Sequence, residues 1–209
     1  MKFTLLDNAV DSLNATHSSI QVMMELTEGH DHRIKDAILS INHAAELLFK
    51  YLLKSKNEYL VFKDLTSYMK AKEEMIKQKK NSIFEVSPNI QTVGFSEAIR
   101  RLELLCDIEV PPKLKEAMTY LNKKRNEIMH YEINLSMEEA VKVYIQLINC
   151  YELSIEYFSK HIPNLADMVG EARFELHNDD LFDEPDVEAM VKDAYYDSLD
   201  ERSGENVKE

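Results

Sequence analysis

The chain has 209 residues, 44 % of them apolar, with only 4 glycines and 5 prolines and a formal net charge of −13. The length suits one domain, or one domain with an appendage, and the apolar share is enough for a buried core. Turn-rich β architectures need more Gly and Pro, so the composition favours an all-α protein. The acidic total excludes a nonspecific nucleic-acid binder with a broad basic face, although a local cationic groove stays open.

Signals for a membrane or an oxidising compartment are weak. No apolar run reaches the roughly 18 residues that a membrane span requires. Asp7 and Asp11 interrupt the N-terminal stretch, so we expect no secretion signal. Cys106 and Cys150 have neither metal-type spacing nor a disulfide framework, which predicts two buried thiols in a reduced cytoplasm.

The first two predicted elements are helices over residues 4–28 and 31–54, because apolar residues recur there at helical spacing. Gly29 is expected to end the first helix, and the pair should form an antiparallel hairpin. His30, Asp31 and His32 invite a zinc interpretation, but no second ligand cluster has a supporting spacing. N-terminal capping by Asp31 is the preferred interpretation.

Residues 55–94 are typical of an insertion that decorates a helical bundle. We predict a lysine-rich helix over 68–80, followed by a loop over 81–94 that contains Ser87-Pro88-Asn89. The lysines of this segment either bind phosphate or form a solvated helix face, and the second interpretation is preferred.

Three further helices are predicted over residues 95–106, 112–131 and 137–161. Pro112 suits the start of the second of these, and Ser136 with Glu139 forms a capping box before the third. The third helix is apolar on most sides, which predicts burial from two directions, by a helical core and by a partner subunit.

Polar residues interrupt the apolar stripe of the helix over 112–131. Asn126 and His130 are four residues apart and therefore share a helical face, with Arg125 beside them. Histidine can transfer a proton near neutral pH, and arginine can hold a phosphate through several N–H donors. Asparagine can orient the histidine or a substrate oxygen. The competing interpretation is a polar patch at a helix end, with Lys123, Lys124 and Arg125 opposing the helix dipole.

The segment Arg125-Asn-Glu-Ile-Met-His130-Tyr131 resembles the Arg-Asn-x3-His-[Tyr/Phe] signature of catalytic HEPN domains. In that family the motif lies at an end of a late helix, and another long helix follows. The stretch from His43 to Lys50 is similar to the family's second helix, which often bears a Glu and then a Lys one turn later. The resemblance covers roughly residues 4–162, interrupted by 55–94.

The resemblance implies an antiparallel up-and-down four-helix core that forms a homodimer, with two copies of the motif in one composite cleft. It implies an endoribonuclease that needs no metal or other cofactor. The ribose 2′-hydroxyl attacks the adjacent phosphate and leaves a 2′,3′-cyclic phosphate. His130 then acts as general base or acid, Arg125 stabilises the transition state, and Asn126 supports His130 or the RNA. The expected biological role is that of a bacterial toxin or antiphage effector, with an antitoxin or regulatory protein as a further partner.

Three residues are expected to support this site. Lys124 adds positive charge. Glu46 either assists the site or forms an ion pair with Lys50. One toxin branch of the family carries an adenylylated Tyr in an Arg-x4-His-x-Tyr pattern, whereas this chain has Tyr131 immediately after His130, so a packing role for Tyr131 is preferred.

Residues 164–209 are predicted to be an acidic extension of the domain at 1–163, partly helical or disordered. From Glu171 to Glu209 the chain carries 14 acidic and 4 basic residues, a net of −10. This tail either solubilises the protein, covers the cationic cleft, or docks a partner. Two rivals to the nuclease are a noncatalytic HEPN scaffold that binds a protein or RNA partner, and a helical adaptor unrelated to nucleic acid.

Overall fold

The structure, a computed structural model, describes residues 4–173. This part of the chain is helical and has no β-strand, only an isolated antiparallel bridge between Phe62 and Thr92. The predicted all-α class is therefore confirmed. The tail from residue 174 onward, with the three interpretations given for it, lies outside the described residues. The helices are α1 (Leu5–Glu25), α2 (His30–Lys56), a 3-10 helix (Glu58–Val61), α3 (Leu65–Lys77), α4 (Ile83–Val86), α5 (Phe95–Leu105), α6 (Pro112–His130), α7 (Met137–Ser159) and α8 (Leu165–Glu171).

Helices α1 and α2 pack closely against each other, and a hydrogen bond of 2.9 Å joins Ser12 Oγ and His43 Nδ1. The turn between them differs from the prediction. Helix α1 already ends at its C-cap residue Leu26, and Gly29 instead precedes α2 as its N-cap, with a φ of 85° that favours glycine. Asp31 lies inside the first turn of α2 and makes no side-chain cap, so the predicted capping role is wrong.

Helix α2 lies at the centre of the core and packs against α1, α5, α6 and α7. Its buried residues recur at helical spacing from Ile34 to Ala45, whereas the four consecutive residues from Leu47 to Lys50 are all buried, so the second half of the helix is covered on most sides. Phe49 is fully buried and meets Phe158 of α7 edge to face, with 5.0 Å between the ring centroids. Aromatic pairs of this geometry add about 1 kcal/mol beyond their buried area, so this contact holds α7 against α2.

Residues 57–94 connect α2 to α5, and the two ends of this segment pair with each other. The segment adds six buried residues to the core, namely Leu60, Val61, Phe62, Ala71, Ile83 and Val93. The amide of Lys63 donates to the carbonyl of Gln91, and that of Val93 donates to Val61, both at 2.9 Å. Within the segment, α3 covers residues 65–77, so the helix predicted over 68–80 exists and begins three residues earlier. A single turn of helix, α4, lies in the stretch that was predicted to be a loop.

Helices α6 and α7 form the other side of the core. Helix α6 begins at Pro112, and α7 begins with the predicted capping box of Ser136 and Glu139. Helix α7 buries one face, which includes Cys150, against the core. Its opposite face stays exposed in the single chain, so only one of the two expected directions of burial is present there. The exposed apolar residues of this face are Met137, Val141 and Ile145, and they lie beside exposed charged residues such as Glu138 and Lys142.

Helix α8 packs on α1 after Pro163. The side-chain amide of Asn14 donates to the carbonyl of Val169 at 2.9 Å, and Arg173 binds Asp11 through two hydrogen bonds of 2.8 and 2.9 Å. None of the helices within residues 4–173 has the length and apolar content needed to cross a bilayer.

Candidate active site

The predicted trio lies in the last turns of α6, at its exposed C-terminal end. His130 is the final helical residue, and the amide of Tyr131 closes the helix by donating to the carbonyl of Glu127 at 3.0 Å. The imidazole is exposed, and within residues 4–173 it has no hydrogen-bonding partner. The imidazole of His130 is therefore accessible to a second molecule.

Arg125 and Asn126 form a direct pair. Arg125 Nη1 donates to Asn126 Oδ1 at 3.0 Å, and the arginine is half-buried while the asparagine is exposed. At 100° per residue, Asn126 and His130 lie about 40° apart around α6, whereas Arg125 and His130 lie about 140° apart. The structure thus joins Arg125 to Asn126 and places His130 one turn further along the face of Asn126.

Lys124 is engaged elsewhere. Its Nζ binds Glu127 Oε2 at 2.9 Å, and its side chain is only 16 % exposed. The hydrogen bond to Glu127 raises the pKa of Lys124 above its ordinary value, against the opposing effect of burial. Arg125, in contrast, is paired with no carboxylate within residues 4–173.

Glu46 does not approach the trio. Its Oε1 accepts from Lys50 Nζ at 2.6 Å, the ion pair that was one of the two expectations for this residue. Ile34 and Ile128 line the same small groove, so the start of α2 adjoins the end of α6. Glu46 lies 12 residues beyond Ile34, which at 1.5 Å per residue is about 18 Å along the helix.

Tyr131 is 84 % exposed. Its ring is therefore not packed into the core, and the preferred packing role is not found within a single chain. An exposed ring directly after the histidine is instead available to a second molecule.

The trio stands on an open surface. The nearby groove between the start of α2 and the loop after α6 has a volume of about 230 Å³, is lined by residues such as Ile38 and Ile128, and does not include Arg125, Asn126 or His130. Small-molecule sites usually enclose about 300–1,000 Å³. A reaction at the trio therefore needs a second surface to exclude water.

Metal-binding geometry is not apparent in the part of the chain that the structure describes, where no three or more His, Cys, Asp or Glu side chains converge. The zinc interpretation of His30, Asp31 and His32 thus receives no support there.

Sequence reasoning missed one buried charge, Lys50, which is only 8 % exposed. It was expected to pair with Glu46 at a surface or between helices. The sequence did indicate the burial of Lys50. Leu47 and Leu53 lie three residues to either side of it and therefore share its helical face, and both are buried.

No protein-family model, curated protein or solved structure matches this chain. Fold and site together define an all-α protein that carries an Arg-Asn-His trio at the end of a core helix, with the arginine half-buried and the asparagine and histidine exposed.

Proposed function

We propose that this chain is a metal-independent RNA endonuclease of HEPN type. The observation that best supports this proposal is the exposed imidazole of His130 at the end of α6, one turn beyond the hydrogen-bonded pair of Arg125 and Asn126. These residue types in this order match the HEPN signature. The proposal includes the antiparallel up-and-down core of that family.

The reaction follows from the chemistry of the three side chains. A neutral imidazole takes the proton of the ribose 2′-hydroxyl, whose oxygen attacks the adjacent phosphorus. The bond to the 5′-oxygen breaks, and that oxygen takes a proton from a second, protonated imidazole. The products are a 2′,3′-cyclic phosphate and a free 5′-hydroxyl. Arg125 stabilises the negative charge that develops on the non-bridging oxygens, and Asn126 orients the guanidinium.

The need for two imidazoles supports a composite site in a homodimer. Each chain supplies one histidine in the motif, whereas the reaction uses a base and an acid on opposite sides of one phosphate. Exposed apolar residues cluster at the same end of the molecule, since Met137 and Val141 begin the helix that follows the motif. Exposed apolar surface of this kind is typical of protein–protein interfaces.

A toxin or antiphage role, regulated by a partner protein, is part of the proposal and rests on the family resemblance alone. The second candidate is a noncatalytic dimerisation module. The exposed apolar face of α7 favours it, because such a face serves a partner whether or not chemistry follows.

Cleavage of mixed RNA in EDTA tests the proposal. The wild type should produce fragments that end in 2′,3′-cyclic phosphate, and His130→Ala should reduce the rate at least about 100-fold, the usual effect of removing a general acid–base group. His161→Ala is the matched control, because this histidine is also exposed but lies at the end of α7. Equal rates in both variants, or no cleavage of any RNA by the wild type, would favour the noncatalytic module.

A further inference from the structure

A second candidate site lies far from the trio, in a groove of about 740 Å³. The start of α1, the second half of α2 and the segment after α2 form its walls. Its volume is within the range of about 300–1,000 Å³ that small-molecule sites occupy. We call it the α1–α2 groove.

Lys50 is the charged group at the floor of this groove. Its Nζ donates to Glu46 Oε1 at 2.6 Å and to Thr92 Oγ1 at 3.0 Å, and the residue is 8 % exposed. An ammonium group has three donors, and the third has no partner among the described residues. Glu46 already neutralises the charge of Lys50, and the third N–H is left for an acceptor in the groove.

Positive charge also prevails at the groove's rim. Lys54 lines the rim one turn beyond Lys50, is exposed, and makes no hydrogen bond or close ion pair within residues 4–173. The acidic lining residue is Glu58, which Lys72 and Tyr68 both hydrogen-bond at 2.9 Å. Burial acts to raise the pKa of Glu58, but these two hydrogen bonds and the charge of Lys72 hold it below its ordinary value.

The start of α1 also borders the groove, which Thr4, Leu5 and Asn8 line. Its capping box already engages the amides of Thr4 and Asp7, and the Asp7 carboxylate offsets part of the positive end of the helix dipole. The lysines therefore supply the positive charge, and they outnumber the acidic groups three to two once Glu46, the partner of Lys50, is counted with Glu58.

The opposite wall of the groove is apolar and aromatic. Phe62 and Phe84 line it with 6.1 Å between their ring centroids, and the buried side chain of Ile83 also lines it. Phe62 is buried, but Phe84 remains 47 % exposed. An exposed aromatic ring at the mouth of a groove offers a face on which a flat apolar group can stack.

We propose that the α1–α2 groove binds a small amphipathic anion. Its carboxylate or phosphate head accepts from Lys50 and Lys54, and its apolar body, preferably an aromatic ring, packs against Phe62 and Phe84. The site is separate from the trio at the end of α6, and the proposal does not depend on the nuclease function.

The test is a titration of the full chain with anilinonaphthalene sulfonate, an aromatic anion that fluoresces in apolar surroundings. The wild type should show saturable binding to one site. Lys54→Glu and Phe84→Ser should each weaken it about tenfold, the effect of removing a charge contact or an aromatic contact of about 1.4 kcal/mol. Lys70→Glu and Met69→Ser are matched controls, since both residues are exposed on α3 outside the groove.

A competition experiment distinguishes the charged head from the apolar body. Phenylbutyrate and phenyl phosphate should displace the probe, and whichever does so at lower concentration identifies the preferred head group. The neutral phenylbutanol should displace it poorly. Equal affinity of the groove variants and the controls, or equal displacement by the acid and the alcohol, would overturn the proposal.

Discussion

At the scale of single residues, Arg101 shows how one side chain holds an irregular segment in place. Its Nη1 donates to the carbonyls of Leu60 at 2.8 Å and Phe62 at 2.7 Å, while its Nε donates to Glu97 at 2.9 Å. Those carbonyls belong to the segment after α2, which cannot satisfy them with regular secondary structure. Arg101 on α5 therefore ties this segment to the core.

Arg101→Met should destabilise the protein by about 2–4 kcal/mol, because it leaves two partly buried carbonyls without their charged donor. The side chain is 18 % exposed, whereas the neighbouring Arg100 is 70 % exposed. Arg100→Met is therefore the matched control and should stay within about 0.5 kcal/mol of the wild type. Urea unfolding measures both, and equal midpoints for the two variants would contradict the assigned role of Arg101.

Cys150 is expected to lower the free energy of unfolding as the pH becomes alkaline. Burial raises the pKa of its thiol to about 12. The unfolded thiol loses its proton near pH 8.5, so above that pH the unfolded chain binds fewer protons than the folded one and stability falls as pH rises. The loss of stability should reach about 1.7 kcal/mol between pH 8.5 and 10.

Urea unfolding over this pH range checks the expectation by comparing the wild type with Cys150→Ala, whose stability should decline less steeply. Cys106→Ala is the comparison: burial also raises the pKa of this half-buried thiol, so its removal should lessen the decline too, but by less than the removal of the fully buried Cys150. Parallel pH profiles for the wild type and Cys150→Ala would show that the thiol is not protected in the folded state.

The positions and hydrogen bonds of Arg125, Asn126 and His130 show what residue spacing does and does not predict. Helical periodicity correctly placed Asn126 and His130 on one face. It did not predict the bond between Arg125 and Asn126, or that between Lys124 and Glu127. Long side chains choose partners through rotamers and local contacts, which the order of residues alone does not fix.

At the scale of elements, α7 carries an apolar face that the single chain does not use. Met137, Val141 and Ile145 recur every four residues and are between 49 % and 81 % exposed. Because α7 begins at the end of the molecule that holds the trio, this face suits the homodimer that the proposed chemistry requires.

Ile145→Glu should therefore weaken dimerisation at least tenfold and reduce RNA cleavage with it, because a charge would be buried in an apolar interface. The stability of the monomer should change little, since Ile145 is 49 % exposed. Leu104→Glu is the matched control on α5, where the leucine is 66 % exposed. Sedimentation equilibrium measures the dimer, and identical masses for both variants across concentrations would show that this face is not the interface.

The interiors of the helices were predictable and their ends were less so. Apolar residues at intervals of three or four fixed α1, α2, α5, α6 and α7 to within a few residues. Gly29 was assigned to the wrong helix because glycine serves both helix ends, and only backbone geometry shows which end it occupies. The capping box at Ser136 was predictable because it is a pattern of two residues with one function.

At the scale of the whole molecule, α2 organises the core, since it touches four other helices. The sequence indicated this through an apolar stripe over its whole length. It did not indicate that the segment between α2 and α5 folds back to build a lysine-lined groove. That arrangement depends on contacts such as Arg101 with Leu60, which are 41 residues apart.

The bridge between Phe62 and Thr92 fixes the two ends of this segment next to each other. Two backbone hydrogen bonds close it at these ends, so they stay in register whatever lies between them. The entropy of closing such a loop changes by only about 0.6 kcal/mol when its length doubles. Variation in evolution or by engineering can therefore exchange the intervening residues, and with them one wall of the groove, while the helices that present the histidine keep their positions.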